Sequence, residues 1–552
     1  MLIKLNKIRR DFNQWSLYII TIGFLVSIPI LTIIIYLFDG VGEMWGHIVE
    51  YFLLEYIQNS LLLLTGTGIL TIVIGTSAAW IVSNYNFPFR SLIKWFLFLP
   101  LAIPSYIVAY AYVGLFGNGG TIIRQIQLLG IPIQKIEFMN IYGLIWVLSF
   151  SLFPYVYSSS MAMFSSIPRS IRESSDLLGA SRWRYLRIVA FPLASPAIIG
   201  GLFLVLMEVL NDYGAAKYYG VNTFTTGIFR TWTMLEDLQS AVYLAGLLIL
   251  VIIIINSLVK WQRGNKSYVV KGDSYPNKSN NRTDLKGRKK ILVCLITGVP
   301  VLFGLLLPIV QLIYWSILTY EKTLNFNLLW IAAQSFGIAI VTTCLIIITS
   351  VALIYFSKWN YLKELLIVKK IATIGYVIPG AIIGIGIIRS SQSIINFFDN
   401  AIGMQIGFIF YGSSIVLIYA YVFRFLAVVF YPLEANSLKV GKNLTETSYL
   451  LKVSKVKTLL SIELPLLRTA ILSSGILVFI DILKELPLTL ILKPYKLQTL
   501  AVKAYEYAED ERVAESALPS LILITTIIIS MVIISCLQKR GYARRQDKYD
   551  NQ

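Results

Sequence analysis

The sequence predicts an all-α, polytopic membrane protein, and three observations predict it. Its 552 residues are 57% hydrophobic and 14% charged, with a mean hydropathy of +0.71, where a soluble domain carries about 45–50% apolar and about 25% charged residues. Twelve apolar stretches each approach the ~20 residues that a helix needs to cross a ~30 Å hydrocarbon core. The chain also holds 48 Lys plus Arg against 29 Asp plus Glu, and most of the basic residues fall in alternate segments between those stretches. A nucleic-acid binder shows its basic residues on a polar surface, which this composition does not supply, so no nucleic-acid partner is expected.

The expected spans run from 15 to 37, 60 to 82, 95 to 116, 141 to 163, 193 to 210 and 240 to 258, then 291 to 318, 330 to 356, 371 to 388, 405 to 430, 465 to 483 and 517 to 537. Lys4, Lys7, Arg9 and Arg10 precede the first, but its apolar core is too long for a signal peptide and no small-residue cleavage site follows. It reads as a retained helix. Twelve spans put both termini on one side, and 37 of the 48 basic residues lie in the tails and loops of that side, counting 424–468 as one loop. By the positive-inside rule that side is the cytoplasm.

Cys294, Cys344 and Cys536 each sit in an apolar run, which offers neither a disulfide framework nor a metal motif. His47 is the single histidine, so His-based zinc sites and Ser-His-Asp catalysis are excluded. An enzyme is not expected, nor a permanently bound cofactor. Residues 260–290, with SYPNKSNNRTDLKGRKK, are polar and without apolar period. They separate a first half, 1–259, from a second, 291–552, with six spans each, and act either as a solvated tether or as a basic patch for anionic lipid.

The halves repeat one another. ESSDLLGASRWRYLRIVAFP, from Glu173 to Pro192, and ETSYLLKVSKVKTLLSIELP, from Glu446 to Pro465, keep an offset of 273 residues at both ends. Ser60 and Ser335, like Pro104 and Pro379, are 275 apart, and Glu208/Asp481 and Asp212/Glu485 are again 273 apart. Direct repeats of six spans insert the same way up, about an axis along the membrane normal. Each loop reads as a bent element outside the membrane: a helix starting near Arg172 or Glu173, a break, a second helical stretch and a proline at the next span. Both glutamates are expected near helix N-termini, where the dipole favours them. Lys452 replaces Gly179 in the second copy, and a differently bent loop is expected there.

These loops resemble the EAA loop of permease subunits in binding-protein-dependent ABC importers, through Glu173, Gly179, Val189 and Pro192 and through Glu446, Ile462, Leu464 and Pro465. The segments 207–232 and 481–521, with NSLLLL and FLPLAIPSYIVAYAYVGLFG between Asn59 and Gly117, resemble the ferric-iron subfamily with its two fused halves. The resemblance implies a type I-like permease fold and docking loops (Glu173, Gly179, Pro192; Glu446, Lys452, Pro465) for two copies of a cytoplasmic ATPase. It also implies a periplasmic or lipid-anchored substrate-binding protein, and iron(III) as cargo. No GxxxxGK[ST] motif is present, so ATP is expected to be used by partner subunits. Thiamine and other small-solute permeases share the fused layout.

Iron(III) is hard and prefers oxygen donors. Glu208 and Asp212 are four apart, as are Asp481 and Glu485, hence on one helical face each. A ring of these four carboxylates at the outer mouth of the path, with Tyr213 as a fifth oxygen, is the expected transient metal site. The same acids would alternatively end their helices, pair with Lys484 or Arg230, or dock the binding protein. Pro100, Pro104 and Pro379 are expected to kink the third and ninth spans, and Tyr106, Tyr110 and Tyr112 are read as packing groups or further oxygens. The rival from another class, an ion-gradient-driven secondary transporter, would place charge at mid-span, where this chain reads as nearly uncharged. A membrane scaffold would not need matched loops.

Overall fold

The computed structural model describes residues 14–550 apart from 118, 132–136, 264–281, 360–364, 404–406, 408–412 and 439–441. Among the described residues twelve helices are long and apolar enough to span a membrane. In the first half they are α1 (Gln14–Tyr36), α2 (Leu53–Asn84), α3 (Ser105–Leu128, in two helical pieces), α4 (Ile141–Ser166), α5 (Arg182–Asn211) and α6 (Leu238–Gln262). In the second they are α7 (Arg288–Thr323), α8 (Phe326–Lys358), α9 (Gly380–Ala401), α10 (Ile415–Ser437), α11 (Lys455–Lys484) and α12 (Val513–Leu537). Each overlaps one expected span. Most of the expected linker lies outside the described residues. Where the chain resumes, Thr283–Asp284 pairs in parallel with Tyr85–Asn86, the only sheet among the described residues.

The prolines depart from expectation, for a reason that matters later. Pro104 and Pro379 do not kink α3 and α9; they cap them, with extended ψ of 141° and 143°. Lacking an N–H, proline is tolerated at a helix start. The preceding stretch is a short helical turn instead, Leu99–Ala102, which contains Pro100, or Ile374–Val377. Both helices therefore begin inside the protein. Pro192 and Pro465 act differently: each follows a widened π turn, Leu186–Ala190 or Leu459–Glu463, which absorbs the hydrogen bond that proline cannot make.

The first helix of each half packs against the other half. Trp15 on α1 meets Phe356 and Trp359 of the second half at ring distances of 4.8 and 4.9 Å, and the Arg389 guanidinium lies 4.2 Å over the Tyr36 ring. Reciprocally, the Tyr112 hydroxyl on α3 donates to the Phe303 carbonyl of α7 at 2.8 Å, and Thr121 to Gln311 at 2.6 Å. Tyr112 is thus a packing group. His47 packs tilted against Tyr51 and edge-on against Phe52, and the three cysteines are free thiols.

Both loops between the fourth and fifth spans share one backbone. Arg169–Leu177 and Lys442–Leu450 form the first helical stretch, followed by left-handed residues, Gly179 at φ 72° and Lys452 at φ 56°. The expectation of a different bend at Lys452 is overturned. Ala180 N–H donates to Ser175 O at 3.0 Å, Val453 N–H to Ser448 O at 3.1 Å, and these closing bonds hold lysine in a conformation costing about 1–2 kcal/mol for a residue with a Cβ. Ser181 and Ser454 then cap the next stretch, accepting from Arg184 and Lys457 N–H. Glu173 and Glu446 sit fifth in their nine-residue helices, so the dipole argument for them does not hold.

Candidate functional site: a charged cavity between the halves

The fifth span of each half ends by turning inward. After Asn211 and Lys484 the chain goes extended at Asp212 and Glu485, with ψ 121° and 122°, and re-enters as short helices. Gly214–Tyr218 and Phe224–Thr233 follow α5; Pro487–Leu492 and Leu500–Glu509 follow α11. Ser60 and Ser335, the pair legible as a repeat, hold these re-entrant segments by accepting from Phe224 N–H at 3.3 Å and Leu500 N–H at 2.8 Å. Asp212 and Glu485 work as caps. Asp212 accepts from the N–H groups of Ala215 and Ala216 at 3.0 and 3.1 Å and from the Ser105 hydroxyl, while Glu485 accepts from Leu488 N–H at 3.1 Å.

Between these ends lies a cavity of about 1040 Å³ including its open mouth, bordered by Glu208, Asp212, Asp481, Glu485, Arg424 and Lys484 among others. The four acids gather at one cavity, as the sequence suggested, but not at an outer mouth. Tyr155, which donates to Glu208 at 3.3 Å, is the fifteenth of 26 residues in α4, and Arg424 the tenth of 23 in α10. The carboxylates meet the middle of two spans because α5 and α11 stop short, and re-entrant helices fill the remaining depth.

Nor is the ring purely acidic. Arg424 pairs with Glu485 at 3.4 Å, both side chains under a tenth exposed, and Lys484 pairs with Asp481 at 3.0 Å. Arg230 instead lies over the Phe52 ring. Among the described residues no three acidic, His or Cys side chains converge closely enough to hold a metal ion, so the four-carboxylate metal cradle is not formed in this conformation. Pairing and capping commit the acids elsewhere. Tyr213 borders the cavity, but its hydroxyl accepts from Tyr505 at 3.5 Å and its ring stacks on Phe229 at 3.8 Å. Tyr106 borders it too, and the buried hydroxyls of Tyr106 and Tyr110 have no hydrogen-bond partner among the described residues.

Sequence reading missed Arg424 and Tyr155. Arg424 stands alone in IVLIYAYVFRFLAVVF, the signal of a buried functional charge, yet the basic-residue count over 424–468 places it with a cytoplasmic loop. Nothing in the sequence marks Tyr155. The expectation of a nearly uncharged interior, used against a gradient-driven transporter, is therefore overturned; a different observation separates the two.

Residues 71–262 match the family described as "Binding-protein-dependent transport system inner membrane component". An Fe(3+)-transport system permease protein of Haemophilus influenzae is 23% identical over 97% of this chain and 99% of its own length. Over nearly its whole length the chain is thus similar to a permease subunit of an ABC importer. A sulfate transport system permease protein of Escherichia coli is 24% identical over 47% of this permease and 92% of its own length, and a putative molybdenum transport system permease protein of Bacillus subtilis is 26% identical over 32% and 74%. The permease is a multi-pass transport subunit, and its family implies a substrate-binding protein and an ATPase as partners.

Proposed function

We propose that this permease supplies both membrane halves of an iron(III) importer. The observation that carries the cargo is the charge of the central cavity. Four carboxylates face two cationic groups, an acid excess that favours a cation and disfavours sulfate or molybdate, whose permeases are also relatives. The full-length similarity to an Fe(3+) permease supports the same reading. Glu208, Asp212, Asp481 and Glu485 line the path, and ion contact is transient.

Two copies of an ATPase dock on the loops 173–192 and 446–465. Leu177, Leu178, Leu450 and Leu451, at repeat-equivalent positions, are 73–89% exposed and offer paired apolar faces to a partner. Both termini and the 260–290 linker face the cytoplasm; with Arg424 moved into the membrane, 36 of 48 basic residues still lie on that side. A periplasmic or lipid-anchored binding protein delivers iron on the other.

Uptake of radiolabelled iron(III), thiamine, sulfate and molybdate, measured side by side in cells carrying the permease and its partners, tests the cargo. Iron uptake abolished by Glu208→Ala with Asp481→Ala at normal membrane levels is expected. Uptake of thiamine or an oxyanion without iron would overturn it.

A further inference from the structure

The two cationic groups of the cavity are not equivalent. Arg424 is locked: it pairs with buried Glu485, donates to the Ile378 carbonyl at 3.4 Å, and packs where Gly380 leaves room, since a Cβ there would lie 2.7 Å from its Nη1. Among the described residues Lys484 makes one close ion pair, with Asp481, and it also lies within electrostatic reach of Glu208; the Lys484 and Asp481 side chains are 22% and 18% exposed. Its ammonium ends a flexible four-carbon stem. The repeat-equivalent residue, Asn211, is neutral and spends its carbonyl on Gly380 N–H at 2.9 Å. Glu208, across the cavity, receives only the Tyr155 hydroxyl among the described residues.

We propose that Lys484 is a resident counter-ion, a tethered cation that occupies the carboxylate site of the empty cavity and is displaced from Asp481 by the incoming ion. This rests on the cation reading above. A trivalent ion carries three times the charge of an ammonium at a similar distance, so Asp481 exchanges its lysine for the ion and Glu208 supplies a second oxygen ligand. The Tyr106 hydroxyl at the cavity wall, buried and without a hydrogen-bond partner among the described residues, is an oxygen available to the ion. When the ion leaves, Lys484 returns to Asp481 and lowers the affinity of the vacated site, which favours release over rebinding. Lys484 is thus a positioning residue acting through Asp481.

The test is iron(III) uptake kinetics in cells carrying the permease with its partner subunits. Lys484→Met is expected to lower KM and kcat together, each about tenfold, because the ion binds more tightly and leaves more slowly. Lys484→Arg, which keeps the charge, restores most of kcat. An unchanged or raised KM for Lys484→Met at normal membrane levels overturns the proposal.

If Lys484→Met does not accumulate, a second pair decides. Asp481→Asn strands the lysine beside Glu208 and raises KM, and adding Lys484→Met to it lowers KM again; no such rescue also overturns the proposal. Wild-type cells that take up no iron at all would instead remove the cation reading on which it stands.

Discussion

At offsets of 273 to 276 residues the two halves repeat their turns, caps and helix starts while changing the side chains that fill them. Gly179 and Lys452 share a left-handed turn, Pro104 and Pro379 start helices within the bundle, and Thr223 and Thr499 cap the re-entrant helices. Yet Ser151 stands where the second half has Arg424, Asn211 where it has Lys484, and Ala190 where it has Glu463. Beside the loop that follows α4, Trp80 packs against Phe164 and Tyr185 at 5.3 and 6.2 Å. Beside the loop that follows α10, buried Glu463 accepts from Thr445 at 2.9 Å and Lys369 pairs with Glu434 at 2.9 Å. Backbone geometry is shared by the two halves; at these three positions the charge sits in the second.

Breaking that asymmetry at Arg424 should have the largest effect. Arg424→Met leaves Glu485 buried without its partner and is expected to cost about 3–5 kcal/mol, read as thermal unfolding of the solubilised permease. Ser151→Ala, at the matching position, removes only a bond to Val147 O and should cost about 1 kcal/mol or less. Comparable losses would mean that the cavity does not depend on the second half's ion pair.

Glu463→Ala comes next. It deprives the Thr445 hydroxyl of its acceptor, at about 1–3 kcal/mol, and should loosen the second docking loop so that substrate-stimulated ATP hydrolysis falls while iron binding is retained. An unchanged stimulation ratio would show that the polar network beneath that loop has no part in coupling.

The halves can also be made more alike. Lys452→Gly relieves a left-handed lysine and should stabilise by about 1 kcal/mol, whereas Gly179→Ala introduces the same strain and should destabilise by a similar amount. Opposite shifts in melting midpoint are expected; shifts of one sign would contradict the shared turn.

The smallest effect is at Asp237, just before α6. Partial burial favours its protonated form, but hydrogen bonds from the Ser240 hydroxyl and the Ser240 and Met44 N–H groups outweigh this and hold the carboxyl below its usual range. A depressed folded-state pKa contributes stability above the unfolded value of about 3.9, lost as pH falls through the folded value. Asp237→Asn should therefore flatten the acid side of the stability profile below about pH 4 and leave neutral pH nearly untouched.

Spans, repeat and the bent loops at 173–192 and 446–465 were legible because they rest on local signals: apolar length, a fixed offset, and proline at a span edge. The acids at Glu208 and Asp481 were legible for the same reason. Their depth was not, because it depends on α5 and α11 stopping short and on re-entrant segments too short to register as spans. Lys452 misled because closing hydrogen bonds to Tyr449 and Ser448 outweigh its dislike of positive φ. Arg424 misled because its partner Glu485 lies 61 positions away, and only folding brings them together.

Because α1 lies against α8 and α9, while α7 lies against α2 and α3, neither half can depart without abandoning one of its own transmembrane helices in the other. Cohesion therefore does not rest on peptide continuity between the halves. Two polypeptides divided between residues 264 and 281 are expected to complement one another when made in the same cell. Proteolytic nicking in that stretch should leave both fragments migrating together until detergent denatures them.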